Sequence, residues 1–569
     1  MPWQSSPKKY LKTTIRMNPN IKKPFVWIPL ILVLFSGILA FTVKNDKLFA
    51  LAKNIDIFAT LIRELDSYYV DEIDPDELVT IGINAMLEEL DPYTEYIPEE
   101  NSDEFRMMTT GEYAGIGALI GNRGEGNMIL MPYTGFPAQN GGLKIADYIL
   151  RIDSVNVIGK PTSQVSELLK GPANTPVNVV VKRDKDTLAF ELVRKKISLK
   201  NVPFYGKLDD KTGYIKLSDF TTNASVEVRN ALTALKSQGV QQLILDVRDN
   251  PGGLVSEAVE IVNLFIPKGK EVVKTIGKLQ NVNYTYKTTK TPVDKSIPLV
   301  VLINERSASA AEIVAGALQD YDRAVLLGRK SFGKGLVQTT IPLTYNAQVK
   351  ITTAKYYIPS GRCIQAIDYA QTRENGEITT VPDSLRKAFK TTNGRVVLDG
   401  AGIEPDELVE EVTYAPISYT LVAGNHVFDF ATQYFYKHKS ISNPMSFKIS
   451  DQDYEDFKKF LVGKEYDYTT YTEKSVKDLE KYVSKEPYFD EIKSQLEAIK
   501  AKVNHSKEKD LDTHQAEIRK ILSEEIVSRY YFQEGMVEAG LDEDPGVELA
   551  KSYFKNPGKI AQTLTASVK

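Results

Sequence analysis

Hydrolytic chemistry at neutral pH needs a nucleophile and a base, and the commonest base is missing where this chain would need it. All four histidines, His426, His438, His505 and His514, fall in the carboxy-terminal region. A Ser-His-Asp triad within the central segment is therefore excluded by composition. There is no His-Glu-x-x-His, no pair of cysteines and no histidine cluster, so neither a metal nor a cofactor is expected. The single cysteine, Cys363, is read as a small packing residue. What remains is carboxylates, or a serine or threonine with a lysine. A serine hydroxyl is a weak nucleophile that needs a base within hydrogen-bond reach. Lysine qualifies only where burial depresses its pKa.

The sequence holds such a pair of segments. Asn304-Glu305-Arg306-Ser307-Ala308-Ser309-Ala310-Ala311-Glu312 follows an apolar run, Leu299 to Ile303, and opens a helix of small residues. A serine at a strand-to-helix turn stands above its sheet, and the next backbone N–H points where an oxyanion would form. Gly328-Arg329-Lys330-Ser331-Phe332-Gly333-Lys334-Gly335 follows another apolar run, and Gln338 begins the next strand. A third strand-end loop, Asp246-Val247-Arg248-Asp249-Asn250-Pro251-Gly252-Gly253, offers free N–H groups. Other readings of these residues fail on spacing. Gly328 to Lys334 satisfies Gly-x-x-x-x-Gly-Lys, but Gly335 stands where a phosphate loop needs Ser or Thr. Ser331-x-x-Lys334 has its serine in a glycine loop rather than at a helix start.

The elements that must position these loops are legible from periodicity. Between about 196 and 410, apolar runs at 214–217, 242–248, 299–303 and 325–327 alternate with helical stretches near 223–237, 255–264 and 308–318. That pattern predicts an α/β sheet covered on both faces. Residues 48 to about 107 read as helical, with Asp74-Pro75 and Asp91-Pro92 as punctuation. Residues 108–195 are β-rich, with a glycine loop Gly115-Ile116-Gly117-Ala118 leading into a strand and short helices at 137–140 and 162–169. From 411 to 569 the chain is helical and charged, with clear runs at 476–482, 490–500 and 516–528.

The order of elements over 108–195 resembles a PDZ domain of the permuted bacterial protease type. The three loops resemble the signature of carboxyl-terminal processing peptidases, the tail-specific proteases. Their small-residue motif matches Ser307-Ala308-Ser309-Ala310, and their Phe-Gly-Lys-Gly loop matches residues 332–335. This resemblance implies Ser309 as nucleophile, Lys334 as general base and Gln338 as the residue that orients the lysine. It implies oxyanion donors at the N–H of Ala310 and of Gly252 or Gly253, a supporting acid at Asp320, and a peptide-carboxylate loop at Gly115, Ile116, Gly117 and Ala118. The implied fold is a PDZ domain inserted before a ClpP/crotonase-like core, with a helical extension of the kind seen in Bacteroidetes-type relatives. Arg306 departs from the family's usual glycine.

The amino terminus suggests where such an enzyme would work. Lys8, Lys9, Lys12, Arg16, Lys22 and Lys23 precede an apolar run from Phe25 to Val43, and no acid occurs before Asp46. Nineteen residues at 1.5 Å each just cross a hydrocarbon core of about 30 Å. Residues 24–43 are expected to be an uncleaved signal anchor, with the basic tail 1–23 in the cytoplasm and the catalytic part in the periplasm or its equivalent. The formal net charge of -4 gives no case for nucleic acid. Expected partners are unfolded or tail-exposed exported proteins and the membrane, with a homodimer as one expected assembly. The competing function is an anchored PDZ adaptor or holdase that binds tails without cleaving them.

Overall fold

The computed structural model describes residues 47–124, 126–369, 380–466, 468–503 and 507–565. The expected anchor, 24–43, lies outside the described residues, and no helix among them is long and apolar enough to cross a membrane. The described residues up to Glu89 form one compact unit, and those from Leu90 onward form another. In the first, a helix over 47–68 is followed by Pro75–Glu88. Asp74 caps this second helix by accepting the Asp76 N–H at 2.9 Å, and Pro75 occupies the first turn, where its missing N–H costs nothing.

The second Asp-Pro behaves differently. After Asp91-Pro92 the chain runs into a short strand, Glu95–Ile97, that pairs antiparallel with Gln348–Tyr357. The helical reading of 48–107 is corrected at this point. Tyr-Thr-Glu-Tyr-Ile has strand-forming side chains, and a partner strand some 250 residues away takes up its backbone groups. Gln348–Tyr357 also pairs with Leu336–Pro342 and Glu271–Gly277, and the latter with Tyr284–Lys287, completing a five-stranded sheet.

The β-rich domain expected to be PDZ-like enters and leaves through a two-stranded ribbon, Glu112–Gly115 against Lys195–Ser198. Its antiparallel sheet runs in the order Ala118–Arg123, Gly126–Pro132, Tyr148–Ile152, Pro176–Arg183, Asp186–Val193, over a core that includes Ile116, Ile129, Ile149 and Val179. Ala118–Arg123 lies at the edge of that sheet, beside helix Thr162–Leu169.

The central α/β domain is a six-stranded sheet ordered Phe204–Lys207, Thr212–Lys216, Gln242–Asp246, Leu299–Ile303, Val325–Gly328, Glu407–Leu408. All neighbours are parallel except the first pair. Side chains alternate between its faces. Leu243, Leu245, Val301 and Leu326 pack against helices Ala224–Ser237, Val255–Val262 and Ala310–Asp320. Tyr214, Ile244, Val300, Leu302 and Leu327 face the other way. They are covered by Leu541 and by Val547, Ala550, Tyr553 and Phe554 of helix Pro545–Lys555. Both faces are covered, as the apolar strands predict, but the second cover comes from the far end of the chain rather than from the intervening helices.

The helical carboxy-terminal domain has its own core around Leu421, Phe430, Tyr454, Phe457 and Leu522. It also reaches the β-rich domain. Phe428 is buried with Met128 and Ile145, and the guanidinium groups of Arg123 and Arg529 each lie 4.3 Å from its ring centroid. Asp544, which caps helix Pro545–Lys555, forms an ion pair with Arg248 at 2.9 Å. The extension thus touches both other domains. Truncating Phe554 to alanine is expected to remove about 3–5 kcal/mol from the sheet's second face. In a thermal melt this appears as a midpoint lowered by several degrees, whereas an unchanged midpoint would mean that the helix adds nothing to the core.

Candidate active site

Three adjacent parallel strands, Gln242–Asp246, Leu299–Ile303 and Val325–Gly328, end at the same edge of the core sheet, and the three chemistry-bearing loops leave from those ends. Carboxyl ends of parallel strands are where open α/β sheets gather ligands. Ser309 is the cap residue of helix Ala310–Asp320 and has φ 53° and ψ −112°. A non-glycine residue held there is strained by roughly 1–3 kcal/mol, and such strain concentrates at working sites. Gly252 lies directly against it. A Cβ on Gly252 would come within 2.7 Å of the Ser309 Cβ and 2.9 Å of the Ala310 N, so only glycine permits this approach.

The structure separates the two glycines. The Gly252 N–H donates to Asn250 Oδ1 at 2.8 Å. The Gly253 N–H has no partner among the described residues, and neither has that of Ala310. Asn250 is itself held, donating from Nδ2 to the Leu217 carbonyl at 2.8 Å, while its own carbonyl accepts the Ala308 N–H at 2.9 Å. Ser307 is fully buried, and its hydroxyl donates to the Val247 carbonyl at 2.8 Å. Arg306 turns outward to pair with Asp249 at 2.7 Å.

Glu312 joins the serine and lysine loops. Its buried carboxylate accepts the N–H of Ser309 at 2.8 Å and of Lys334 at 2.9 Å on one oxygen. The other oxygen accepts the Ser331 hydroxyl at 2.6 Å and the Gly333 N–H at 2.8 Å. Burial pushes this carboxyl up to about 7, against the pull of those four donors. The Tyr356 hydroxyl closes the other side, donating to the Lys334 carbonyl at 2.7 Å and lying 3.1 Å from that of Ser309. These bonds also dispose of the alternatives. The N–H groups of Gly333 and Lys334 are engaged by Glu312 and that of Gly335 by Gln365 rather than left to cradle a phosphate, and the Ser331 hydroxyl is bound to the Glu312 carboxylate. Cys363 is half-buried, and burial pushes its thiol up, away from the reactive thiolate.

Lys334 is half-buried, and its Nζ lies 4.1 Å from the centroid of the Tyr93 ring. Burial, helped by the charge of Lys350, lowers its pKa below the usual lysine value, and Asp91, Glu312 and Glu95 pull the other way. No hydrogen bond joins Nζ to Ser309 among the described residues. The Gln338 Nε2 donates to Thr352 Oγ1 at 3.1 Å, and Thr352 Oγ1 donates to Asp91 Oδ1 at 3.1 Å. Asp320 sits at the far end of the serine helix, buried against Arg362 at 2.9 Å and the Ser360 N–H at 2.9 Å. Eleven residues of helix put it about 16 Å from Ser309, and it makes no bond to Ser309 or Lys334.

In the β-rich domain, the N–H groups of Ile116 and Gly117 are without partners among the described residues. The Gly117 carbonyl accepts the Tyr133 N–H at 2.9 Å, and that of Ile116 accepts the Ala138 N–H at 2.7 Å. With φ +74°, Gly117 has no room behind it: a Cβ would meet the Phe136 Cβ at 2.5 Å. Glycine is required at this position by packing beneath the loop as well as by any ligand above it.

Sequence reasoning missed Glu312, Tyr356, Thr352, Asp91 and Tyr93. A signal existed for Glu312, because Ser309-Ala310-Ala311-Glu312 has the Ser-x-x-Glu spacing of a capping box. The others reach the site only through strand pairing.

Comparison with known proteins agrees with this geometry. Residues 211–373 match peptidase family S41, residues 129–183 match a PDZ domain, and residues 417–554 match the C-terminal helical domain of probable PDZ-proteases. A carboxy-terminal-processing protease of Bartonella bacilliformis is 35% identical over 322 residues, covering 55% of this chain and 73% of that protein. A probable CtpA-like serine protease of Staphylococcus aureus is 34% identical over 337 residues, covering 58% of this chain and 66% of that protein. Among solved structures, a photosystem II D1 C-terminal processing protease aligns with 62% of this chain and 92% of its own, at 27% identity and a TM-score of 0.34. The chain thus belongs to peptidase family S41, the carboxy-terminal-processing proteases, and is a serine-type peptidase that carries a PDZ domain and a helical carboxy-terminal domain.

Proposed function

We propose that the protein is a membrane-anchored endopeptidase that cleaves exported proteins recognised by their carboxy-terminal tails, with Ser309 as nucleophile and Lys334 as general base. The observation that carries this reading is the backbone frame at the site. Ser309 is held strained against Gly252, next to an Ala310 N–H that has no partner among the described residues, and one buried carboxylate ties its backbone to that of Lys334. In the reaction, the neutral Lys334 amine accepts the Ser309 proton as Oγ attacks the scissile carbonyl. The N–H groups of Ala310 and Gly253 receive the oxyanion. Lys334, now an ammonium, gives its proton to the departing amine, leaving an acyl-enzyme on Ser309. Water then attacks the ester as Lys334 takes its proton and returns it to Ser309 Oγ. The amine must come within hydrogen-bond reach of Oγ in the substrate complex, where such contacts tighten. Gln338 is proposed to orient it.

Tail recognition is assigned to the PDZ domain. An added peptide strand would pair with the free edge of Ala118–Arg123, and its terminal carboxylate would meet the N–H groups of Ile116 and Gly117. The basic segment and apolar run before Asp46 are proposed to anchor the chain with its catalytic part outside the cytoplasm.

Ser309→Ala is expected to lower cleavage of an unfolded, apolar-tailed protein by roughly 10⁴-fold or more while tail binding survives. Normal turnover by this variant would remove Ser309 from the nucleophile's role. Lys334→Arg should be equally inactive, because a guanidinium keeps its proton at working pH.

The pH dependence has a definite sign. Raising the pH ionises Glu312 through about 7, completing its acceptance of four donors, and deprotonates Lys334 below the ordinary lysine range. Both changes favour the reactive form, so kcat/KM should climb from acid to mildly alkaline pH; a rate flat across that range would speak against a lysine base.

Amidating the substrate's terminal carboxyl removes a charge-assisted contact worth about 1.5–3 kcal/mol. Cleavage is expected to slow about tenfold or more, and equal rates for acid and amide would mean that the tail carboxylate is not read.

A further inference from the structure

An amide side chain has two ends of opposite character, and Gln338 is anchored by only one. Its Nε2 donates to Thr352 Oγ1, while its Oε1 meets no donor among the described residues. Which end faces Thr352 decides what Gln338 can do for a neighbouring amine. The NH2 end would oppose an ammonium, and the carbonyl end would accept from it.

The surroundings of Thr352 dictate the choice. Its hydroxyl has a single hydrogen. The Thr352 hydroxyl donates to Asp91 Oδ1 at 3.1 Å, so its hydrogen is used there. Thr352 Oγ1 then has only lone pairs to offer Gln338, and these require the NH2 end. The carboxylate is fixed in turn. Asp91 Oδ1 accepts the Tyr93 N–H at 2.9 Å, and Oδ2 accepts the Thr94 hydroxyl at 3.0 Å. The Thr94 hydroxyl oxygen accepts the Thr352 N–H at 3.2 Å. Gln338 and Thr352 are cross-strand partners in the hairpin that follows Lys334, next to the register shift between Val337 and Gln338. The Lys334 Nζ lies 4.1 Å from the centroid of the Tyr93 ring, and Asp91 holds the N–H of that same tyrosine, so the arrangement stands beside the amine.

We propose that Asp91 and Thr352 are positioning residues for the Lys334 amine, acting through Gln338. The polarity runs one way. Asp91 accepts from Thr352, Thr352 accepts from the Gln338 NH2, and the Gln338 Oε1 is left to accept an N–H of Lys334. Holding one N–H of a neutral amine turns its lone pair toward Ser309 Oγ, and the same carbonyl stabilises the ammonium once the serine proton has moved. This inference rests on the reading of Lys334 as base and Gln338 as its orienting partner.

The test is steady-state kinetics of the full-length protein on an unstructured peptide, with Thr352→Val, Thr352→Ser, Gln338→Ala and the Thr352→Val/Gln338→Ala double variant. Valine keeps the shape of threonine and loses the hydroxyl. Thr352→Val is expected to lower kcat about tenfold with KM unchanged, and Thr352→Ser to restore it. The double variant should be no slower than Gln338→Ala alone, since both changes break one relay. A merely structural threonine would give additive losses or a change in KM. Wild-type kcat in Thr352→Val beside an impaired Gln338→Ala overturns the proposal, as do additive losses in the double variant. Wild-type kcat in Gln338→Ala overturns instead the orienting role of Gln338, and the relay falls with it. Should Thr352→Val fail to fold, Asp91→Asn takes its place. It lets the Thr352 hydrogen turn and the amide invert, so a several-fold loss of kcat is expected and wild-type kcat overturns the relay.

Discussion

Two loops that carry Ser309 and Lys334 leave adjacent parallel strands with 25 residues of chain between them, and the proposed proton transfer between their side chains requires the backbones to keep a fixed spacing. Glu312 sets that spacing. Its carboxylate accepts both backbone N–H groups on one oxygen, and its other oxygen pins Ser331 and Gly333. Because Glu312 stands at the third position of the serine helix, the group that caps the helix start also holds the lysine loop. Burial makes the arrangement stiff, since an unmatched carboxylate in the core would cost more than any of its four bonds returns. The strained backbone of Ser309 persists for the same reason.

Around this frame the rest of the molecule is arranged in layers of support. The parallel sheet brings three strand ends together, and the antiparallel sheet supplies Tyr356 and Thr352 from one strand and Asp91 and Tyr93 from the turn before another. A parallel sheet needs both faces covered, and here helix Pro545–Lys555 completes the second. At its cap, Asp544 meets Arg248, whose neighbour Asp246 is buried with Tyr214 and Lys216. Burial opposes the charge on Asp246, but Arg248 and Lys216 outweigh it and hold the carboxyl below its usual range. The carboxy-terminal domain is in this way bonded to the strand whose end carries Gly252 and Gly253, while Phe428 joins the same domain to the PDZ sheet.

The resemblance carried by three loops was enough to identify the family. Several element readings also hold: Leu299–Ile303 is a strand, the serine opens a helix, and Pro137–Asn140 is a short helix. Local signals failed at Asp91-Pro92. The same dipeptide that starts a helix at Asp74-Pro75 leads at 91–92 into a strand, because its fate depends on pairing with Gln348–Tyr357. The choice between Gly252 and Gly253 was equally out of reach, since it turns on the Asn250 side chain folding back onto one N–H.

By itself the sequence determined the chemistry available. With every histidine in the carboxy-terminal region, composition left carboxylates, or a serine or threonine with a lysine, and the resemblance carried by the three loops pointed to the class of reaction. It also determined the alternating strands and helices, because side-chain periodicity is a local property. Only the tertiary structure decided which polar groups meet. Glu312 reaches Lys334, Asp91 reaches Thr352, and residues 545–555 cover the core sheet, across separations of 22, 261 and some 200 residues or more. Long-range hydrogen bonds of this kind leave no periodic trace in the chain, because they depend on strand order and register, which are set by how the whole core packs.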